Sequence, residues 1–244
     1  TKGGVKYTIG PALIGTGIAD LVNSLSAIKK HVFDDKTITM KELIEALNAN
    51  FEGYEKIRLM LQNTTPMYGD DLAEEMTDFA YSVISSCKSW RGPHFISGLY
   101  PVSSHVPHGL VVGALPYGRL AGTALADGCS PNGGTDHEGP TSVLKSVSKI
   151  NHEVHTSGTL LNMKLDPQSV TGDAGLRRIA DIIRTFVDLN IYHIQFNVVS
   201  NELLRAAQDK PEEHRSLIVR VAGYSAYFTE LCKDMQDDII NRTV

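Results

Sequence analysis

The sequence predicts an α/β protein in which helices connect parallel strands. In the last hundred residues, segments with strand character are followed by segments with helical periodicity three times. The first third of the chain has apolar residues three and four positions apart, which indicates helices. A glycine- and proline-rich segment, residues 90–140, separates the two parts. This organisation is typical of α/β barrels and doubly wound sheets.

Helices are predicted throughout the N-terminal third. Apolar side chains at intervals of three and four predict an amphipathic helix over residues 14–32. Thr39 and Glu42 have the spacing of a capping box, which begins a short helix. Residues 54–61 continue the helical pattern, and Asp70 is placed to cap a longer helix that runs to about residue 88.

Glycine and proline recur every few residues between positions 90 and 140. These residues interrupt helices and strands, and Pro107, between His105 and His108, argues against regular helix at that point. A long irregular stretch inside a domain is usually functional or packed into a cavity. Because this stretch carries little charge, we expect such a segment rather than a solvated linker.

The last hundred residues supply the alternation of strands and helices. Apolar and β-branched runs predict strands, amphipathic runs predict helices, and Ser200 is placed to cap one helix. At Gly223 a strand is expected to enter a tight turn that a helix follows. The predicted elements are a helix at 141–150, a strand at 159–165, a helix at 172–189, a strand at 191–199, a helix from Ser200 to about 208 and a strand at 217–221.

Composition and charge limit the possible classes of function. The chain has 244 residues, 42% hydrophobic and 21% charged, and its 23 basic and 28 acidic residues give a net charge of −5. These values are those of ordinary globular proteins. No run of about 18 apolar residues and no signal peptide is found, so we expect a cytoplasmic protein without a membrane partner. Without a dense basic stripe, nucleic acid is not an expected partner either.

Familiar metal and cofactor motifs are incomplete in this sequence. His152 and His155 are one residue too close to share a helical face, as the HExxH motif requires. Residues 15–17 open a dinucleotide fingerprint, but Asp20 occupies its third glycine position. Because no base can be named for Cys129, an ordinary packed cysteine is expected there. The cysteines Cys87, Cys129 and Cys232 lack CxxC spacing, so no disulfide framework and no metal site are predicted.

A string near the end of the chain carries the most specific signal. Residues 220–228, Arg-Val-Ala-Gly-Tyr-Ser-Ala-Tyr-Phe, resemble the radical-bearing loop of the glycyl radical enzymes, and residues 230–243 resemble the C-terminus of that family. Residues 98–109, Gly-Leu-Tyr-Pro-Val-Ser-Ser-His-Val-Pro-His-Gly, are similar to its C-terminal part. Further similar strings lie at 116–122, 127–131 and 142–149. The resemblance therefore covers essentially the whole chain.

The resemblance implies a fold and a radical site. The fold is the C-terminal portion of a ten-stranded α/β barrel of the pyruvate formate-lyase type, with surrounding helices. Residues 1–244 then form a single incomplete domain, in which 216–244 are the glycine radical segment. The radical is expected on Gly223, because an amide nitrogen and a carbonyl delocalise the unpaired electron and no Cβ hinders a planar Cα. A buried site with apolar neighbours is expected, since the radical reacts with oxygen.

The resemblance also indicates a branch of the family. Residues 220–226 and 101–109 are nearer to the dehydratase, lyase and decarboxylase branch than to pyruvate formate-lyase. This branch implies a diol dehydratase-like lyase that eliminates water or another leaving group from a small hydroxylated substrate. Tyr100 resembles a position that lines the substrate cavity, and Arg242 resembles a C-terminal arginine near the active site. The structural alternatives are a tyrosine that packs the barrel entrance and an arginine at a helix end.

Other functions remain open at this point. An arylacetate decarboxylase and a formate C-acetyltransferase-type enzyme belong to the same family. A spare-part protein that carries the radical segment, or a structural module without a radical, would not catalyse a reaction. The sequence upstream of Thr1 would separate these classes best.

The resemblance further implies a cofactor and partners. A separate activating enzyme, which uses S-adenosylmethionine and an iron–sulfur cluster, installs the radical on Gly223, and this chain binds neither metal nor cobalamin. The family's Gly-Cys-x-Glu loop is absent from the sequence. We therefore expect a fragment that is inactive alone and needs the N-terminal remainder of the enzyme. A homodimer is expected at full length, in the cytoplasm or, alternatively, inside a bacterial microcompartment.

Overall fold

Short strands, most of them parallel, form the sheets of the protein. The computed structural model describes residues 10–64, 72–90, 92–133, 135 and 139–242. Three strands form one parallel sheet, two pair in parallel beside it, and the last two form an antiparallel hairpin. The strands are β1 (Ala12–Ile14), β2 (Ile96–Leu99), β3 (Gly158–Thr159), β4 (Leu161–Leu165), β5 (Ile194–Val198), β6 (Ile218–Arg220) and β7 (Ser225–Tyr227). The predicted parallel arrangement is confirmed for β3 to β5, whereas the predicted strand at 217–221 corresponds to β6 and pairs antiparallel with β7; β1 and β2 were not predicted as strands.

Leu160 links the two parallel sheets. Its N–H donates to the carbonyl oxygen of Leu99 at 2.9 Å, whereas the next N–H, on Leu161, donates to His193 at 3.1 Å. The chain from β3 to β4 therefore pairs first with β2 and then with β5. The predicted strand at 159–165 is confirmed, but it divides between two neighbours at Leu160.

Helices surround and connect these strands. They are α1 (Ile18–Ile28), α2 (Met40–Asn48), α3 (Glu55–Thr64), α4 (Leu72–Ser86), α5 (His105–Val111), α6 (Pro140–Val147), α7 (Gly172–Asp188), α8 (Asn201–Asp209) and α9 (Lys233–Asn241). The predicted capping box is confirmed: Thr39 Oγ1 accepts from the N–H of Glu42 at 3.1 Å, and Glu42 Oε2 accepts from the N–H of Thr39 at 2.8 Å. In the described ranges, no helix is both long enough and apolar enough to cross a membrane.

Three details of the helix prediction were wrong or lie outside the described residues. The first helix begins at Ile18, because Ile14 belongs to β1 and pairs with Gly98 of β2. Pro107 lies within α5, against the expectation of an irregular segment. It is tolerated as the third residue of that helix, where a backbone N–H has no helical acceptor to lose. Asp70, the predicted cap of α4, is outside the described residues.

Separate apolar clusters hold the elements together. Leu144 of α6 packs with Leu161 and Met163 of β4 in the largest cluster, and Leu43 and Leu61 belong to a second one between α2 and α3. A third cluster joins the C-terminal hairpin to the helices α8 and α9. Its fully buried members are Leu204, Ala207, Val221, Phe228 and Ile239. Apolar burial therefore fixes the C-terminal segment against the rest of the fold.

One face of the β4–β5 pair is polar although it is buried. Asn162 and Lys164 alternate with the apolar residues of β4, and they lie in register with Gln195 and Asn197 of β5. All four side chains are buried. Buried parallel strands usually carry apolar residues on both faces, so these polar groups need partners. Lys164, Gln195 and Asn197 find partners in the C-terminal segment: Lys164 Nζ, for example, donates to the carbonyl oxygen of Ile240 at 2.7 Å.

Candidate active site

Gly223 lies at the tip of the hairpin between β6 and β7. The N–H of Val221 donates to the carbonyl oxygen of Tyr224 at 2.9 Å and closes the turn. Gly223 has a φ of 79°, which favours glycine because an L side chain is strained there. The predicted turn is confirmed, but β7 follows it, and the helix begins only at Lys233. The expected burial is met by Val221, Ala222 and Phe228, whereas Gly223 and its neighbours Tyr224 and Tyr227 are exposed in this chain.

Gln195 of β5 holds the turn through hydrogen bonds to the backbone of Gly223 and to the side chain of Arg220. Its Oε1 accepts from the N–H of Gly223 at 3.2 Å and from Nε of Arg220 at 2.8 Å. Its Nε2 donates to Oδ1 of Asn162, and Nδ2 of Asn162 donates to Oδ2 of Asp127. A continuous series of buried polar groups therefore extends from Gly223 to Asp127.

Asn197, two residues further along β5, holds the hairpin at another point. Its Oδ1 accepts from the N–H of Arg220 at 2.7 Å, and its Nδ2 donates to the carbonyl oxygen of the same residue at 2.6 Å. The Asn197 amide thus satisfies both backbone groups of one residue of β6. Side chains of β5 replace the backbone ladder that would otherwise join these strands.

Arg242 closes the network from the other side. It donates to the carbonyl oxygen of Val221 and to Oδ2 of Asp238, each at 2.8 Å, and it lies 3.5 Å from Oδ2 of Asp127. Although burial lowers the pKa of this guanidinium, the carboxylates of Asp238 and Asp127 raise it above its usual value. Burial likewise raises the pKa of Asp238, but Arg242 and His105 lower it below its usual value. Arg242 therefore stays charged and joins the end of α9 to the turn.

Tyr100 and Gly223 line the same cavity, which has a volume of about 350 Å³. Its wall also includes Ser157, His193 and Tyr224. The structure thus brings together two of the three predicted site residues. Arg242, the third, lines a second and larger cleft of about 1320 Å³, together with Asp127 and Asn162.

The Tyr100 side chain has a fixed position at the cavity wall. Its hydroxyl lies 2.6 Å from Oγ of Ser157, and either group can donate. A Cβ on Gly98 would approach Cε1 of Tyr100 to 2.5 Å, so the ring needs glycine beneath it. Tyr100 and Ser157 therefore contribute hydroxyl groups to the cavity that the glycine turn also lines.

Cys129, His152 and His155, which the sequence analysis considered for catalysis or metal binding, are buried side chains with packing or hydrogen-bonding roles. Cys129 is fully buried in the main core, where burial and then the Asp127 carboxylate raise the pKa of its thiol. His152 hydrogen-bonds Thr159 at 2.6 Å, and His155 hydrogen-bonds Ser97 at 2.8 Å. Across the described ranges, no three or more histidine, cysteine or acidic side chains are arranged to hold a metal ion.

Two family models match this chain, and between them they cover most of it. A pyruvate formate lyase-like model matches residues 1–109, and a glycine radical model matches residues 125–229, which include the Gly223 turn. The chain belongs to the glycyl radical enzyme family. The fold of this glycyl radical enzyme chain is accordingly the C-terminal portion of the pyruvate formate-lyase type, as the resemblance implied.

Individual relatives agree with this family. Isethionate sulfite-lyase of Bilophila wadsworthia is 45% identical over 239 residues, which are 93% of this chain and 28% of the relative. The solved structure of a B12-independent glycerol dehydratase from Clostridium butyricum superposes with a TM-score of 0.91 at 42% identity, over 98% of this chain and 31% of that structure. A structure that concerns 1,2-propanediol dehydration in Roseburia inulinivorans has a TM-score of 0.90 and 45% identity, over 96% of this chain and 31% of that structure. The chain thus spans less than a third of each.

The sequence analysis did not identify Gln195, Asn162, Asp127 or Ser157 as residues of this candidate site. A signal was present for the first two, because a polar residue in a strand otherwise suited to complete burial needs an internal partner. Asp127 and Ser157 lie in irregular segments, where the chain pattern does not reveal what a side chain faces. Their roles become visible only in three dimensions.

Proposed function

We propose that this chain is the radical-bearing part of a glycyl radical lyase, with the radical on Gly223. The observation that carries the proposal is the shared cavity, which both Gly223 and Tyr100 line. A left-handed glycine without Cβ meets the steric demand of a planar radical centre. We also propose that 216–244 act as the glycine radical segment of a single incomplete domain formed by 1–244.

In the proposed reaction, Gly223 stores the radical between turnovers. A separate activating enzyme, which uses S-adenosylmethionine and an iron–sulfur cluster, removes one hydrogen atom from the Cα of Gly223. A cysteine outside this sequence gives its thiol hydrogen atom to Gly223 and becomes the thiyl radical. The thiyl takes a hydrogen atom from the substrate, and neighbouring acid–base groups assist loss of the leaving group before that hydrogen is returned.

The proposed substrate is a small hydroxylated molecule that loses water or a comparable leaving group. Tyr100, Ser157 and His193 bring hydrogen-bonding groups to a cavity whose lining is otherwise mostly apolar, and this supports the choice because hydroxylated substrates need such groups. The relatives named above include a sulfite-lyase and a glycerol dehydratase. Tyr100 is proposed to contact the substrate, and Arg242 to contribute from the neighbouring cleft.

The proposal extends to cofactors and partners. We propose that no metal or cobalamin binds to this chain, in keeping with the B12-independent glycerol dehydratase it resembles. The remaining partners are the activating enzyme, the small substrate and the N-terminal remainder of the enzyme, which forms a homodimer at full length. The proposed location is the cytoplasm, with a bacterial microcompartment as the alternative.

The test is a substrate panel with the full-length gene product, activated under anaerobic conditions. The panel contains glycerol, propane-1,2-diol, isethionate, choline, 4-hydroxyproline, arylacetates, and pyruvate with coenzyme A. Elimination from a hydroxylated member supports the proposal. Turnover confined to an arylacetate indicates the decarboxylase alternative, and turnover confined to pyruvate indicates the formate C-acetyltransferase type. Radical formation without turnover of any member indicates a spare-part carrier.

A further inference from the structure

We infer that Asp127, Asn162 and Gln195 form an amide relay, a one-directional series of hydrogen bonds that presents an amide oxygen to the N–H of Gly223. The series itself is defined by the contacts around the turn. Its consequence for a radical rests on the proposed function of Gly223. In that setting Gln195 is a positioning residue, since it acts through the backbone of the radical-bearing glycine.

The two ends of the amide relay fix its direction. At one end, the Asp127 carboxylate offers only acceptors, so Asn162 must turn its Nδ2 toward it. The Oδ1 of Asn162 then faces Gln195, which must donate from Nε2. This leaves Oε1 of Gln195 for the other end, where the N–H of Gly223 and Nε of Arg220 offer only donors.

Reversing the two amides would break the relay at both ends. An oxygen of Asn162 would then face the Asp127 carboxylate, and an NH2 group of Gln195 would face the N–H of Gly223. Asp127, Asn162 and Gln195 are each at most 9% exposed, so water cannot readily compensate for such mismatches. The charge of Asp127 is held in place by Arg242, 3.5 Å away. The Asp127 carboxylate, acting through Asn162 and Gln195, therefore helps to determine that the N–H of Gly223 faces an oxygen atom.

The acceptor has a chemical consequence at the radical centre. A Cα radical on Gly223 is stabilised when its amide nitrogen donates electron density toward the half-filled orbital. An acceptor on the N–H bond increases that donation, whereas an NH2 group in the same place would oppose it. The relay also fixes the amide plane, which keeps nitrogen and Cα aligned for delocalisation.

The test uses the full-length gene product that contains these 244 residues and two readouts of the Gly223 N–H. Hydrogen–deuterium exchange, resolved at Gly223 by fragmentation mass spectrometry, reports the hydrogen bond without any radical. After anaerobic activation, electron–nuclear double resonance reports the coupling of the exchangeable N–H proton to the unpaired electron. Gln195→Met removes the acceptor, and we expect about fivefold faster exchange, the ratio that one net hydrogen bond represents, with an altered coupling. Gln195→Glu keeps an acceptor oxygen for the N–H of Gly223 but loses the donor to Oδ1 of Asn162, so exchange at Gly223 should not become as fast as in Gln195→Met.

Asp127→Asn tests the direction of the relay without touching Gly223. The substituted amide can present either an oxygen or an NH2 group to Asn162, so only the donors of Gly223 and Arg220 at the other end still favour the original direction. We expect exchange and coupling to move toward the values of Gln195→Met. Asp238→Asn is the matched control, because Asp238 also pairs with Arg242 but is not part of the relay, and it should leave both readouts unchanged.

Two results would overturn the relay: an unchanged exchange rate in Asp127→Asn, or an equal change in Asp238→Asn. A different result would overturn the proposed function. If the activated, unsubstituted protein forms no radical, the assignment of Gly223 fails, whereas hydrogen exchange still decides whether the relay is correct.

Discussion

Nη1 of Arg242 lies 2.8 Å from the carbonyl oxygen of Val221, so the last described residue of the chain contacts the turn that contains Gly223. The same guanidinium pairs with Asp238 and lies near Asp127. These contacts separate two roles for Arg242. It can hold the turn in place, or it can contact a substrate in the larger cleft, and stability and kinetics report on them differently.

Arg242→Gln should lower the free energy of unfolding by about 3 kcal/mol, because two largely buried carboxylates lose their countercharge. Urea denaturation measures this change. Arg184→Gln is the control: its pair with Asp181 is 75% and 71% exposed, and we expect a change within about 0.5 kcal/mol. A raised KM with unchanged stability would instead assign Arg242 to substrate binding.

Gly223→Ala should abolish the radical while leaving the protein folded. A Cβ at this position meets nothing within 4 Å, so the cost is the strain of the left-handed backbone, about 1–2 kcal/mol. Gly53 has the same φ of 79° and equally open space, which makes Gly53→Ala a matched control. Electron paramagnetic resonance should show a doublet in the control and none in Gly223→Ala. A doublet that persists in Gly223→Ala would exclude Gly223 as the radical site.

Tyr100→Phe should lower kcat/KM for the substrate of the elimination reaction by about tenfold, the effect of one lost hydrogen bond in the transition state. The ring would remain over Gly98, so the shape of the cavity is kept. Tyr54→Phe, in a separate apolar cluster, should leave the kinetics unchanged. If Tyr100→Phe matched the unsubstituted enzyme in both kcat and KM, its hydroxyl would have no part in the reaction.

The free energy of unfolding should fall as the pH is lowered, because His155 must take up a proton on unfolding. Burial, and then His152, lower the pKa of His155 to about 4, below its usual value of 6.5. Between these values the unfolded state binds the extra proton, so unfolding becomes easier as pH falls, by at most about 1.4 kcal/mol per pH unit. Urea unfolding between pH 7 and pH 4 should show a flatter dependence in His155→Asn. The exposed His108 provides the control, and an equal flattening in His108→Asn would contradict the assignment.

Local patterns predicted the elements whose stability is local. The capping box needs only Thr39 and Glu42, and its two hydrogen bonds form within one turn of α2. By contrast, β1 is three residues long and depends on its pairing with β2, far along the chain, so residues 12–14 were assigned partly to a helix. The prediction of an irregular segment at Pro107 was wrong for another reason. A proline disrupts a helix according to its position, and the third residue of α5 is one where it is tolerated.

The candidate site was predicted only where family resemblance supplied it. Gly223 and Tyr100 came from strings that resemble the family, and the structure places them on one cavity. Gln195 and Asn162 could not be assigned from periodicity, because a strand pattern indicates burial but not the partner of a buried amide. The partner of Gln195 is a turn that lies beyond a further helix and strand in the chain.

The attachment of the hairpin to β5 affects how this segment can change in evolution. Among the described residues, β6 makes its hydrogen bonds to β5 through the side chains of Gln195 and Asn197, not through a backbone ladder. A backbone ladder is the same for almost any sequence, whereas a side-chain contact is altered by a single codon. Point mutations at Gln195 or Asn197 can therefore strengthen or weaken the hydrogen bonds to the glycine turn while β4 and β5 keep their own pairing.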